Sequence, residues 1–110
     1  MKTLYRIKKS EDFATTIHKG NSSRLPSFIV HTIPTDIGYT RIGISASRKL
    51  GNAVTRNRVR RQVRAMCDSL INYDAGSKDV VIVVRQKYLE LSFNENKSQL
   101  GDFLTKQVGL

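Results

Sequence analysis

Residues 79–84, DVVIVV, constrain the fold more than any other stretch of this chain. After Asp79 every side chain is apolar and β-branched, so a strand here has no polar face to give to solvent. It must be buried on both sides, in the middle of a sheet. Two upstream runs can be its neighbours. Residues 27–33 (SFIVHTI) alternate Phe28, Val30 and Thr32 with Ile29, His31 and Ile33. Residues 40–46 (TRIGISA) set Ile42, Ile44 and Ala46 against Arg41, Gly43 and Ser45, a small-residue face that another element or a ligand can approach closely. The turn residues 34–38 between these two runs predict that they pair as an antiparallel hairpin with a long loop.

Helical signals surround the strands. Ser10 reads as an N-cap, Glu11 and Asp12 suit the positive end of a helix, and Phe13, Ala14 and Ile17 form a short apolar stripe ending at Gly20-Asn21. Residues 1–9 read as a basic extended segment and residues 21–26 as a polar turn region. Ser92 and Glu95 have capping-box spacing and open a last helix with Phe93, Leu100, Phe103 and Leu104 on one side. The expected order is helix, strand, strand, basic helix, strand, helix. That is an α+β sandwich of helices on one sheet, in a single domain spanning residues 1–110.

The basic helix carries the functional signal. Residues 48–64 (RKLGNAVTRNRVRRQVR) contain seven Arg and Lys residues and no acid. Asn52 is a suitable N-cap. Val59, Val63, Met66 and Leu70 recur at helical spacing and face the core. Asn57, Arg61 and Arg64 fall roughly opposite, with Arg58 and Arg60 on the flanks and Arg56 nearer the apolar edge. Five arginines within nine positions repel one another, so the helix calls for a polyanion. Arginine's planar fork takes two oxygens of one phosphate and stacks on bases, and Asn57 adds an amide that both donates and accepts. With 19 Lys and Arg against 9 Asp and Glu, a net charge of +10, nucleic acid is the expected partner.

Other chemistries find little support. No apolar run approaches the ~20 residues of a spanning helix, and residues 1–13 lack the apolar core of a signal peptide. The single cysteine, Cys67, excludes an internal disulfide and reads as a small buried hydrophobe. A reducing cytoplasmic location is expected. No phosphate-binding glycine loop or metal-ligand spacing occurs. His18 and His31 are the two imidazoles, and nothing in their positions pairs them for acid–base cleavage.

The motif LGNAVTRNRVRRQVR, with RIKKSEDF before it and KDVVIVVR after it, resembles the bacterial ribonuclease P protein subunit over nearly the whole chain. That resemblance implies an αβββαβα sandwich with a left-handed βαβ crossover, its additional strand falling around residues 21–25. It implies a catalytic RNA as partner and precursor transfer RNA as substrate, with neither membrane nor small-molecule ligand. Mg²⁺ would belong to the catalytic RNA, and no catalytic or metal-binding residue is assigned to the chain. Lys49, Asn52, Arg56 and Asn57, with Arg58, Arg60, Arg61 and Arg64, match the region that faces the RNA subunit. Phe13, Ile17, His31 and Arg48 fall in a cleft for the 5′ leader. Ile17 and His31 replace aromatics of some relatives, so stacking should matter less there. The alternatives are a generic basic RNA-binding or ribosomal-type protein and a stand-alone ribonuclease.

Overall fold

The computed structural model describes residues 1–109, apart from the side chains of residues 107 and 108. In chain order the elements are α1 (Ser10–Lys19), β1 (Asn21–Arg24), β2 (Phe28–Pro34), β3 (Arg41–Ser45), α2 (Ala53–Leu70), β4 (Lys78–Val84) and α3 (Phe93–Phe103). The four strands form one sheet in the order β1-β2-β4-β3. The apolar strand β4 is internal, and Val80, Val81 and Ile82 are fully buried.

The predicted hairpin does not form. β4 inserts between β2 and β3, antiparallel to the first (Phe28↔Val84) and parallel to the second (Ile44↔Ile82). Alternation reports which residues share a face, and it is the same whichever strand lies alongside. What selects this order is β4 itself, which has no polar face and so belongs where both edges and both faces are covered. The parallel pair then needs a crossover, and α2 supplies it as the helix of a βαβ unit. Residues 21–24, expected from their polarity to be a turn and from the resemblance to be a strand, form β1. This edge strand is held by backbone pairing to β2 (Ser22↔His31), and its side chains are mostly exposed.

The two faces of the sheet are covered differently. Phe28, Val30, Ile42, Val80, Ile82 and Val84 pack against Val59, Val63, Met66 and Cys67 of α2 and against Leu100 and Leu104. Leu70 is only half-buried and touches α3 at Gly101, where an added Cβ would lie 3.0 Å from Leu70 Cδ2. The opposite face carries Ile29, His31, Gly43, Val81 and Val83, and α1 packs across part of it.

Local details revise several expectations. Ser10 lies inside α1, and the Lys9 carbonyl, not a Ser10 side chain, accepts from the Asp12 and Phe13 amides. Thr16 is the buried residue of α1, its hydroxyl satisfied by the Asp12 carbonyl at 2.9 Å, while Ala14 is exposed. The segment before α1 is not wholly extended: Thr3–Tyr5 make a 3-10 turn before Arg6 bridges to Ile42. The capping box of α3 is present in both directions. Phe93, expected on one side of the helix with Leu100 and Leu104, does not share their burial and is 39% exposed. At the first helical position it points off the sheet, and Asn96 takes the inward place, bonded to Ser27 Oγ at 2.6 Å and to the Tyr88 carbonyl at 3.0 Å.

Candidate nucleic-acid interface

The N-terminus of α2 is built by local chemistry. A 3-10 turn at Arg48–Leu50 buries Leu50 and leaves Arg48 and Lys49 exposed. Gly51, at φ +136°, turns the chain in a region that side-chain-bearing residues rarely adopt. Asn52 Oδ1 then accepts from the Thr55 amide at 3.0 Å, so this candidate RNA contact is also the N-cap. Residues 53–55 belong to the helix, with Val54 fully on its outer side.

Packing divides the arginines of α2 among three surfaces. Asn57 and Arg61 are exposed on the crest, opposite the buried Val59 and Val63. Arg58 lies on the flank facing Tyr88 and Phe93. Arg60 and Arg64 lie on the other flank, where they line a hollow of about 180 Å³ with Arg6, Phe13, Gly43 and Ile44. Arg64 was expected opposite the apolar stripe; it is half-buried because this flank rolls toward β3. Arg60 is anchored there, donating to the Ala46 carbonyl at 3.2 Å and to Asn57 Oδ1 at 3.1 Å. Arg56 is half-buried, with its Nε lacking a hydrogen-bond partner among the described residues.

The hollow is short of negative charge. None of its lining residues is acidic. Burial, reinforced by repulsion from Arg6 and Arg60, lowers the Arg64 pKa from its ordinary value. Three guanidinium groups thus crowd one partly desolvated site, and an anion placed among them relieves the cost. Arg6 was not singled out as a site residue. The signal was Ile7: this one apolar residue among basic neighbours is buried, its amide donates to the Ile42 carbonyl at 3.0 Å, and Arg6 is thereby aimed at the hollow. Arg6 also borders a second hollow of about 210 Å³ with Lys8, Lys9 and Arg41. There Arg41 is held by a bidentate pair with the buried Asp79, at 2.9 and 2.6 Å.

Of the predicted cleft residues, Phe13 reaches the hollow with Arg60 and Arg64; Ile17, His31 and Arg48 do not line it. Ile17 is 36% exposed on α1. His31 sits in β2 on the sheet face shared with Gly43 and Val81. Burial lowers its pKa, so the imidazole is neutral at pH 7, and Nδ1 has no partner among the described residues. Neither His18 nor His31 makes a side-chain hydrogen bond or ion pair there. Among the described residues, no three His, Cys, Asp or Glu side chains come together as a metal site, and no helix is long and apolar enough to cross a membrane. Cys67 is fully buried, its thiol pushed up to about 12.

Chemically, the arrangement offers guanidinium forks for phosphates, a half-buried aromatic ring beside them, and no hydrogen-bonded acid–base pair. Comparison with known proteins places the chain in a family. The profile of the Ribonuclease P family matches residues 1–108. The ribonuclease P protein component of Geobacillus kaustophilus is 40% identical over 111 residues, covering 100% of this chain and 92% of that one. That of Mesoplasma florum is 37% identical, covering 96% and 97%. Among solved structures, a Staphylococcus aureus RNase P protein mutant with defective mRNA degradation activity superposes with a TM-score of 0.82 at 35% identity, covering 93% of this chain and 86% of that one. The Thermotoga maritima RNase P protein superposes with a TM-score of 0.79 at 26% identity, covering 92% and 96%. With its sequence matched along almost all its length and its sheet and three helices matched in space, the chain belongs to the ribonuclease P protein component family.

Proposed function

We propose that this chain binds the catalytic RNA of ribonuclease P and the 5′ leader of precursor transfer RNA, and so assists removal of the leader. The observation that carries this reading is the acid-free arginine cluster Arg6, Arg60 and Arg64 beside Phe13 and Gly43. A single RNA strand requires positive charge along its backbone and a ring on which a base can stack. The hollow offers both. The exposed crest, with Asn57 and Arg61, and its approach through Lys49, Asn52, Arg56 and Arg58 face the catalytic RNA. Arg60 and Arg64, which the resemblance groups with that set, turn toward the leader. Ile17, His31 and Arg48 extend the leader's path beyond the hollow. Hydrolysis itself belongs to Mg²⁺ held by the RNA, and the chain contributes no catalytic group. Its working location is the cytoplasm.

The test is precursor cleavage by the cognate catalytic RNA at limiting Mg²⁺. Added protein restores cleavage, and more strongly for precursors with a leader several nucleotides long than for those with a minimal one. Absence of stimulation overturns the reading. Equal binding of any structured RNA, regardless of leader, supports a generic RNA-binding protein instead. The Staphylococcus aureus RNase P protein mutant with defective mRNA degradation activity gives the stand-alone ribonuclease reading a concrete form. It predicts cleavage by the protein alone in EDTA, lost on changing His18 or His31.

A further inference from the structure

The flank of α2 turned away from the leader hollow carries a feature that phosphate binding alone does not use. Residues 86–90 form a 3-10 turn beside α2, and α3 begins at Phe93. Between them and α2 lies a third hollow of about 190 Å³, bordered by Arg58, Gln62, Tyr88, Leu89 and Phe93. Its lining surface is mostly polar, and two apolar side chains stand exposed at its rim: Leu89 is 44% exposed and Phe93 39%. Its floor is rigid. Tyr88 is buried, its hydroxyl donates to Gln62 Oε1 at 2.8 Å, and its ring meets Phe28 edge-on at 5.7 Å. The Gln62 amide nitrogen has no hydrogen-bond partner among the described residues and can donate. Arg58 is exposed and makes no hydrogen bond or ion pair among the described residues, and no acidic residue borders the hollow.

Single exposed apolar residues need no explanation. Here two flank one hollow beside an unpaired arginine, one helical turn from the crest that faces RNA. The volume lies below the ~300–1,000 Å³ of ordinary small-molecule pockets, which suits one ring system. Resting on the reading proposed above, we infer that this hollow receives one unstacked nucleobase of the catalytic RNA. The base stacks on Phe93 against Leu89, the Gln62 amide donates to its edge, and Arg58 takes the adjoining phosphate. A protein partner would also cover Leu89 and Phe93, but the unpaired positive charge and its continuity with the arginine crest select RNA.

The experiment measures binding of the full chain to ribonuclease P RNA as a function of salt. Stacking on an aromatic ring is sequence-tolerant and not ionic, so Phe93→Ala weakens binding about tenfold with the salt slope unchanged. Phe93→Tyr binds like the wild type, and Phe93→Leu, which keeps apolar bulk, resembles Phe93→Ala. Arg58→Gln lowers the slope by about one phosphate contact. Should Phe93→Ala fail to fold, the Tyr and Leu variants carry the comparison. If Phe93→Leu binds like the wild type while Arg61→Gln binds less well, the platform is overturned and the proposed function stands. If the wild type itself does not bind this RNA, that function fails as well. If sedimentation shows that Phe93→Leu disrupts a protein dimer and leaves RNA affinity intact, the patch joins two copies of the chain and the inference is overturned.

Discussion

The ring of Phe13 occupies the space that a side chain at Gly43 would need. A Cβ built there would lie 2.5 Å from Phe13 Cζ and 2.8 Å from Cε1. Gly43 lies on β3, opposite in facing to the core residue Ile42, so its missing side chain lets α1 lay an aromatic ring directly on the sheet. The ring forms one wall of the arginine hollow.

Gly43→Ala should therefore displace Phe13 rather than unfold the protein, because the clash falls on the far end of a side chain that can swing outward. Stability measured by urea unfolding falls by no more than ~1–3 kcal/mol. Affinity for a leader oligonucleotide falls several-fold, while affinity for the catalytic RNA is retained. Loss of both affinities together would show that the cleft and the crest are not separate surfaces.

Arg64→Met should uncouple stability from binding. Burial, Arg6 and Arg60 all disfavour the Arg64 charge in the free protein. Removing that charge at low ionic strength leaves the melting temperature unchanged or raises it. The same variant engages one leader phosphate fewer, so the slope of log K against log salt flattens by about 0.7. A variant that is less stable and binds the leader as before would remove Arg64 from the site.

His31 makes stability depend on pH in a definite direction. Burial lowers its folded pKa, whereas the unfolded chain titrates near 6.5. Well above pH 6.5 both states are neutral and the imidazole contributes no slope. As pH falls below that, the unfolded chain takes up its proton first, and stability is lost until the folded pKa is passed. Urea unfolding between about pH 7.5 and 5 should show this decline, and His31→Gln should flatten it. The same slope in both proteins would place the titration elsewhere.

Cys67 should report unfolding. Its thiol is fully buried and its pKa is pushed up to about 12 by desolvation, with the Asp68 charge adding to the shift. Since only the thiolate reacts, iodoacetamide at pH 8 labels the folded chain at least a hundredfold more slowly than the urea-unfolded chain. The unfolded thiol ionises near 8.5 and the folded one does not, so stability declines as pH rises above that value. Rapid labelling without denaturant would contradict the packing of α2 on the sheet.

Much of the scaffold was legible because local chemistry determines it. The Asn52 cap, the Ser92–Glu95 capping box, the Val59-Val63-Met66 stripe and the central place of β4 follow from hydrogen-bonding groups and apolar periodicity within short windows. The neighbours of β2 and β3 did not follow. Facing is set by a period of two, while adjacency depends on which strand most needs cover. Phe93 misled for a related reason: spacing aligned it with Leu100 and Leu104, but at the first turn the inward place went to Asn96, which could satisfy Ser27 and Tyr88 together.

The arginine run itself, and therefore the demand for a polyanion, is a property of the chain: like charges at helical spacing need a counter-charge in any arrangement. Which surface each arginine joins is not written there. A helical wheel has two equivalent flanks until something packs against one of them. Here β3, Phe13 and the Arg6–Ile7 segment close on the Arg60–Arg64 side, and Tyr88 and Phe93 close on the Arg58 side. Those contacts join residues far apart in sequence, and they turn one basic helix into three distinct surfaces.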